Sequence, residues 1–466
     1  MNVMGIVLAA GLGKRMKSNL HKVLHPVCGR PMIAHILDAL EGAGVRRNIV
    51  VVGHGADQVR EFLGDRAEYA LQEEPLGTGH AVRAAESLLA AEDGATVVVN
   101  GDAPLLTPQT VASLVAVHRE RGAAATLLTA VTDNPAGLGR IERSADGSVM
   151  RIVEEKDAGA EERRIKEINA GVYCFDNQEL FKALAQVKND NRQGEYYLTD
   201  VISILREAGK TVAGVVAADP IDAFGVNDRA ELAEAERLMR RRINRRHMLN
   251  GVTLIDPETT YIDADVEIGR DTVIYPGTAL RAGTRIGEGC AVGPNCDLRA
   301  AEVADGAVVK HSVLDGAYVG ARTTVGPFAY LRPGTRLGEN VKIGDFVETK
   351  NASIGDGTKV SHLAYIGDAR IGKNVNVGCG VITANYDGYS KSETIVEDDA
   401  FIGSNVNLVA PVRIGKGAFI VAGSTITKDV GDGDMAIARE RQTNKTGYAE
   451  TLKARLIARK KNQNRP

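Results

Sequence analysis

No tryptophan occurs in the 466 residues, and no two of the five cysteines stand as a CxxC pair. The odd count excludes complete disulfide pairing, and without close-set pairs a cysteine zinc site is not expected. No apolar run reaches about 18 residues, so no membrane span is expected. The opening residues lack a basic leader, and the apolar run that follows stops at Ala10 in a glycine loop. That segment reads as a first strand rather than a signal peptide. A formal net charge of -3 leaves no electrostatic footprint for nucleic acid. The chain reads as cytoplasmic, with neither a membrane nor a nucleic-acid partner. Glycine, by contrast, is abundant: 51 residues, about 11% against an average near 7%, concentrated after residue 265.

The two halves carry different periods. Ile6–Ala10, Ile49–Val52 and Val97–Val99 are short, nearly continuous apolar runs, as expected of strands buried on both faces of a parallel sheet. Between such runs, Met32 to Leu40 and His80 to Leu89 have the length of crossover helices. Residues 1–227 therefore predict a doubly wound, Rossmann-like α/β domain with its ligands beyond the carboxyl ends of the strands. Residues 228–250 read as a linker helix whose arginine cluster, Arg240–Arg242 with Arg245 and Arg246, is expected to be a solvated face.

From residue 268 the period becomes six. Ile268, Ile274, Leu280, Ile286, Val292 and Leu298 keep the count; Val319, Val325, Leu331, Leu337 and Ile343 resume it, as do Ile402, Leu408, Ile414, Ile420 and Ile426. This is the hexapeptide signature of a parallel β-helix, here over residues 251–437. Cys290 and Cys296 fall where Thr272, Thr278 and Thr284 stand in other repeats, and are expected to be small inward residues rather than ligands. Residues 438–466 read as a tail, disordered through its basic stretch Lys453 to Arg465.

Chemistry-bearing residues gather in both halves. After the first strand, Gly11 and Gly13 allow backbone N–H groups to approach a phosphate, with Arg15 and Lys22 to neutralise it. Gln72 to His80 supplies amide and backbone donors suited to a nucleobase, and Asn100-Gly101-Asp102 sets a carboxylate after a buried strand. Taken singly, Asp102 is as readily a turn residue and Asn227 a helix cap; beside the loop motifs, the carboxylate in the crevice suits a magnesium ion, which wants oxygen ligands. In the repeat array, Ser361 to Gly367 disturbs the regularity around His362, a side chain able to take a proton from an amine near neutral pH. Asn385 to Lys391 is the clearest insertion in the array.

These motifs, with Gly139-Arg140-Ile141, Val153 to Lys156, Ile168 to Gly171, Glu195 to Asp200 and Gly225 to Asn227, resemble the sugar-phosphate nucleotidyltransferases. Joined to a hexapeptide helix, the series resembles the bifunctional N-acetylglucosamine-1-phosphate uridylyltransferase/glucosamine-1-phosphate acetyltransferase family over nearly the whole chain. The resemblance implies magnesium on Asp102 and Asn227. It puts Gln72, Gly77 and Thr78 on uracil, and Gly139, Glu154, Asn169, Tyr197 and Thr199 around the sugar. Leu8, Ala9, Ala10, Gly11, Arg15, Lys22, Asn100 and Gly101 complete that substrate site. Lys14 and Asn100 depart from the common pattern, where Thr and Tyr are usual. In the helix it implies His362 as general base, and Arg332, Lys350, Tyr365, Asn376 and Lys391 on the sugar phosphate. Cys379, Asn385, Tyr386, Ser404, Ala422 and Arg439 would line the acetyl-CoA groove. Cys379 stands where alanine is common, so direct transfer is expected over an acetyl-cysteine intermediate. The implied substrates are UTP, glucosamine-1-phosphate, N-acetylglucosamine-1-phosphate and acetyl-CoA; the helix would be left-handed and the assembly a homotrimer. The alternative reading is one nucleotidyltransferase whose β-helix only oligomerises or regulates. Against it stand His362, Lys350, Asn376 and the Asn385 to Lys391 insertion, which a stalk would not need.

Overall fold

In the computed structural model, residues 2–463 are described. The chain divides into two compact units: one comprises residues up to Asn250 with Tyr261–Val266, the other Gly251–Thr260 with the residues from Glu267 onward.

The first unit is built on a sheet whose main path runs, in space, Val212–Val216, Ala125–Val131, Glu167–Asp176, Ala95–Asn100, Val3–Ala9, Arg47–Val52 and Glu68–Leu71. Alternate residues of the same strands enter different cores. Ile6, Ile49, Val51 and Val98 belong to one, and Val7, Val50, Val52, Val97 and Val99 to the other. Burial on both faces explains the unbroken aliphatic runs. The sheet is not wholly parallel, however: Glu167–Asp176 runs antiparallel to both of its neighbours. Met32–Gly42 is helical as expected. The segment from His80 to Leu89 is not one helix but two, Thr78–Arg83 and Glu86–Leu89. Ala85, with ψ of -2°, interrupts the ladder, and its N–H donates to Val82 instead.

Asp228 caps the helix Arg229–Leu249 by accepting from the Ala230 and Glu231 amides. Its arginines are not simply solvated. Arg242 donates to the Leu105 carbonyl and pairs with Asp219 and Asp222, Arg240 lies 4.5 Å over the Tyr261 ring, and Arg246 donates to the Ala264 carbonyl. They tie the helix into its own unit.

In the second unit, strands of two or three residues pair in parallel with the third strand onward: Glu267–Ile268 with Arg285–Ile286, and that with Glu302–Val303. Three faces therefore make one turn. The aliphatic residues of the six-residue count are inward and almost all buried, and between Leu298 and Val319 the array continues through Val303, Val309 and Leu314. Some corners there are one residue shorter, which is why the count slips. Thr272 and Thr284 bond between turns: Thr272 donates to the Gly287 carbonyl and accepts from the Cys290 amide, and Thr284 donates to the Leu298 carbonyl. Cys290 and Cys296 are buried in the same positions, with thiols against backbone carbonyls. The tail departs from expectation, because Tyr448–Gln463 is a helix. Its alanines, leucines, lysines and arginines are strong helix formers; Arg465 lies outside the described residues. Among the described residues no helix is long and apolar enough to cross a membrane.

Candidate active sites

In the first unit the strands Val3–Ala9 and Ala95–Asn100 are neighbours, and both end at one crevice. The backbone leaving the first strand forms the glycine loop, and the second delivers Asn100 and Asp102. Gly101 is buried between them, its N–H donating to the Leu8 carbonyl. A cavity of about 370 Å³ is lined by Leu8, Ala9, Ala10, Gly11, Lys14 and Arg15 on one side. Lys22, Gln72, Gly77, Thr78, Asn100, Asp102 and Asn227 line the rest. A second cavity, of about 230 Å³, shares Leu8, Thr78, Asn100, Asp102 and Asn227 and adds Gly139, Glu154, Asn169 and Thr199. The shared residues make the two cavities one crevice with a larger and a smaller lobe.

Lys22 Nζ stands 2.5 Å from Asp102 Oδ2 and 3.2 Å from Asn227 Oδ1, and Arg15 Nη2 lies 2.9 Å from the same Asn227 oxygen. Two hard oxygens thus converge on a single cationic position, occupied here by an ammonium. A magnesium ion asks for such oxygen donors while leaving coordination sites for phosphate, so the residues fit that metal. Asn227 is no mere cap; that role falls to Asp228.

In the smaller lobe, burial raises the Glu154 pKa, and Thr199 Oγ1 donates to its carboxyl at 3.1 Å. Asn169 Nδ2 donates to the Tyr173 hydroxyl at 2.6 Å. Tyr173 is a lining residue that the sequence motifs did not single out. Tyr197 is not among the lining residues: it is buried, its hydroxyl accepting from Gln193 Nε2.

The second site lies along the β-helix. Lys342–Ile354 and Lys359–Ile371 run as long paired strands that place Asp345 beside His362, Glu348 beside Tyr365 and Lys350 beside Gly367. Asp345 was invisible in the repeat count, yet its Oδ1 lies 2.8 Å from His362 Nδ1. A carboxylate can only accept, so Nδ1 carries a proton, and in the neutral ring Nε2 is the nitrogen with the lone pair. The same bond holds the Asp345 carboxyl below its usual range.

The corner that carries Asp345 and His362 continues through later turns. The Gly380 amide donates to Leu363, Asn405 to Cys379, and Gly423 to Ser404. One outward column therefore runs Asp345, His362, Cys379, Ser404, Ala422, with the Arg439 side chain beside Gly423. A second corner carries Arg332 and Lys350, where the Asn351 amide donates to Pro333. Arg332 pairs with Glu348 at 2.8 Å, and the Lys391 ammonium, with Arg332 beyond it, lowers the Lys350 pKa. Asn385 donates to Asp368 on that corner. Tyr365 occupies the strand between the corners, five residues and so about 16 Å wide. Asn376 lies on a different face, in register with Lys359 and Phe401, and Tyr386 is exposed in the insertion.

Two catalytic architectures thus meet in one chain, a nucleotidyltransferase crevice and a hexapeptide-repeat transferase. The family model for the MobA-like NTP transferase domain matches residues 5–197, and that for the bacterial transferase hexapeptide (six repeats) matches residues 393–428. The helix is accordingly the left-handed kind. The chain is 56% identical over 447 residues to the bifunctional protein GlmU of Brevibacillus brevis, covering 96% of this chain and 97% of that protein. It is 57% identical over 448 residues to that of Exiguobacterium sibiricum, covering 96% and 100%. A Geobacillus relative of the same name is 54% identical over 447 residues, covering 96% and 97%. The chain belongs to the bifunctional GlmU family.

Proposed function

We propose that the chain makes UDP-N-acetylglucosamine in two steps, acetylating glucosamine-1-phosphate on the β-helix and uridylylating the product in the N-terminal crevice. The observation that carries the first step is the Asp345–His362 pair at the head of the corner column. An oligomerisation stalk has no use for an imidazole held with Nε2 free. His362 takes the proton from the sugar amine as its nitrogen bonds to the thioester carbon; the carbon–sulfur bond then breaks and coenzyme A leaves as the thiol. Arg332, Lys350 and Lys391 clamp the sugar phosphate, with Tyr365 and Asn376 on the sugar. Cys379, Asn385, Tyr386, Ser404, Ala422 and Arg439 line the coenzyme groove.

In the crevice, a phosphate oxygen of N-acetylglucosamine-1-phosphate attacks the α-phosphorus of UTP in line, and pyrophosphate departs. Gln72, Gly77 and Thr78 take the uracil; Arg15, Lys22 and the loop amides take the phosphates; Gly139, Glu154, Asn169 and Thr199 take the sugar. Magnesium held by Asp102 and Asn227 would neutralise phosphate charge. Such a reaction is governed by positioning and electrostatics.

The working assembly is a homotrimer, in the cytoplasm where UTP and acetyl-CoA are available. Support comes from an exposed apolar ladder beside the histidine corner. Phe328 and Phe346 stack at 5.6 Å, and with Leu363 they are 56%, 58% and 59% exposed. Burial between copies would bring His362 to a subunit boundary.

The test follows the order of addition. Coenzyme A release should need glucosamine-1-phosphate and acetyl-CoA alone, and pyrophosphate release should need UTP, magnesium and the acetylated sugar. Pyrophosphate formation without any coenzyme A release would reduce the β-helix to a scaffold. Asp345→Ala should lower acetyl-transfer kcat by about tenfold, because the pair is solvent-exposed and the imidazole loses only its orienting acceptor. A stopped-flow thiol assay measures it; an unchanged kcat would remove Asp345 from the machinery.

A further inference from the structure

Gln72 is buried, and its side-chain nitrogen has two neighbours: the Gly77 carbonyl at 3.2 Å and His80 Nδ1 at 3.0 Å. A carbonyl oxygen can only accept, so this end of the amide is the NH2 group. Its second proton then points at His80 Nδ1, which must present a lone pair and leave the ring proton on Nε2. The ring is held in place, half-buried, 6.4 Å from the Tyr196 ring. The Tyr196 backbone in turn accepts from Gly79 and donates to Leu76. With both amide protons engaged, Oε1 is the end left for a ligand in the crevice, and among the described residues nothing donates to it.

An acceptor at that point discriminates between pyrimidines. Uracil carries a proton on N3, whereas cytosine carries a lone pair there. Oε1 facing uracil makes a hydrogen bond, and Oε1 facing cytosine sets two lone pairs against each other. Only a flipped amide would suit cytosine, and the flip is opposed by the Gly77 carbonyl and by His80 together. We propose that His80 is a positioning residue that fixes the Gln72 amide and so makes the crevice select uracil over cytosine. This rests on the reading that Gln72 faces the base.

The experiment compares kcat/KM for UTP and CTP, with N-acetylglucosamine-1-phosphate and magnesium, in the parent and in His80→Ala, His80→Asn and Gln72→Ala. His80→Ala should reduce the UTP-to-CTP ratio by roughly tenfold, the weight of one hydrogen bond, chiefly through a better KM for CTP. His80→Asn, whose Oδ1 supplies an acceptor near the position of Nδ1, should retain most of the ratio. A His80→Ala enzyme that loses activity on both nucleotides equally, or an asparagine variant that discriminates no better than alanine, would overturn the proposal. If Gln72→Ala collapses the ratio while His80→Ala leaves it intact, the base is where it was placed and His80 is not its selector. If Gln72→Ala leaves the ratio unchanged, the placement of the base itself fails.

Discussion

Replacing His362 by alanine is expected to lower coenzyme A release by about 10²- to 10⁴-fold, with pyrophosphate release unchanged. The side chain is well exposed, at 61%, and bonds to nothing in its own unit that an alanine would strand except the Asp345 carboxylate. An exposed carboxylate returns to water without penalty, so the β-helix should keep its stability and the loss should fall on kcat. The sugar phosphate would still find Arg332, Lys350 and Lys391, which leaves its KM near the parent value. Single-turnover acetyl transfer followed over pH provides the check. A parent-like rate in the folded variant would mean that solvent takes the amine's proton and would remove His362 from catalysis.

Asp102→Ala is expected to have the opposite signature, with uridylyl transfer falling by about 10³-fold and acetyl transfer untouched. Among the described residues Asp102 is the sole carboxylate bonded to Lys22, whose ammonium also reaches the Asn227 oxygen. Without it, one neutral oxygen remains to hold magnesium, and Lys22 and Arg15 are left crowding that oxygen. Raising the magnesium concentration should recover part of the loss if the carboxylate acts through the metal. Pyrophosphate release titrated with magnesium measures both effects. A variant within tenfold of the parent at all magnesium levels would show that Asp102 holds no ion.

The crevice was legible because its parts lie where glycine and acidic residues interrupt aliphatic strands, as at Ala10-Gly11 and Asn100 to Asp102. What escaped depends on tertiary partners. Glu167–Asp176 carries no mark that separates an antiparallel strand from a parallel one, and the turn at Ala85 involves no proline or glycine. Tyr173 and His80 act through side-chain bonds that no local pattern encodes. In the β-helix, counting by six finds inward residues and is blind to outward ones, whose repeat is a whole turn. Asp345, His362 and Cys379 follow each other at intervals of seventeen, and that interval, had it been sought, would have aligned the carboxylate with the imidazole. The arginines of the linker helix read as solvated because their acceptors, Asp219, Asp222 and the Leu105 carbonyl, belong to distant segments.

The corner column has a consequence for how such a chain can change its length. Position in the β-helix is an address by storey and face, not by distance along the chain. From Cys379 to Ser404 is twenty-five residues, yet the two stand on adjacent storeys, because the Asn385 to Lys391 loop bulges outward and the strands resume their places after it. At the short corners near Val303 and Leu314 a residue is missing and the stack also closes without error. Loops can therefore be lengthened or trimmed at corners with the acetyl-transfer residues still in line, whereas removal of one face, three to a storey, would carry Ser404 and Ala422 round to a different corner.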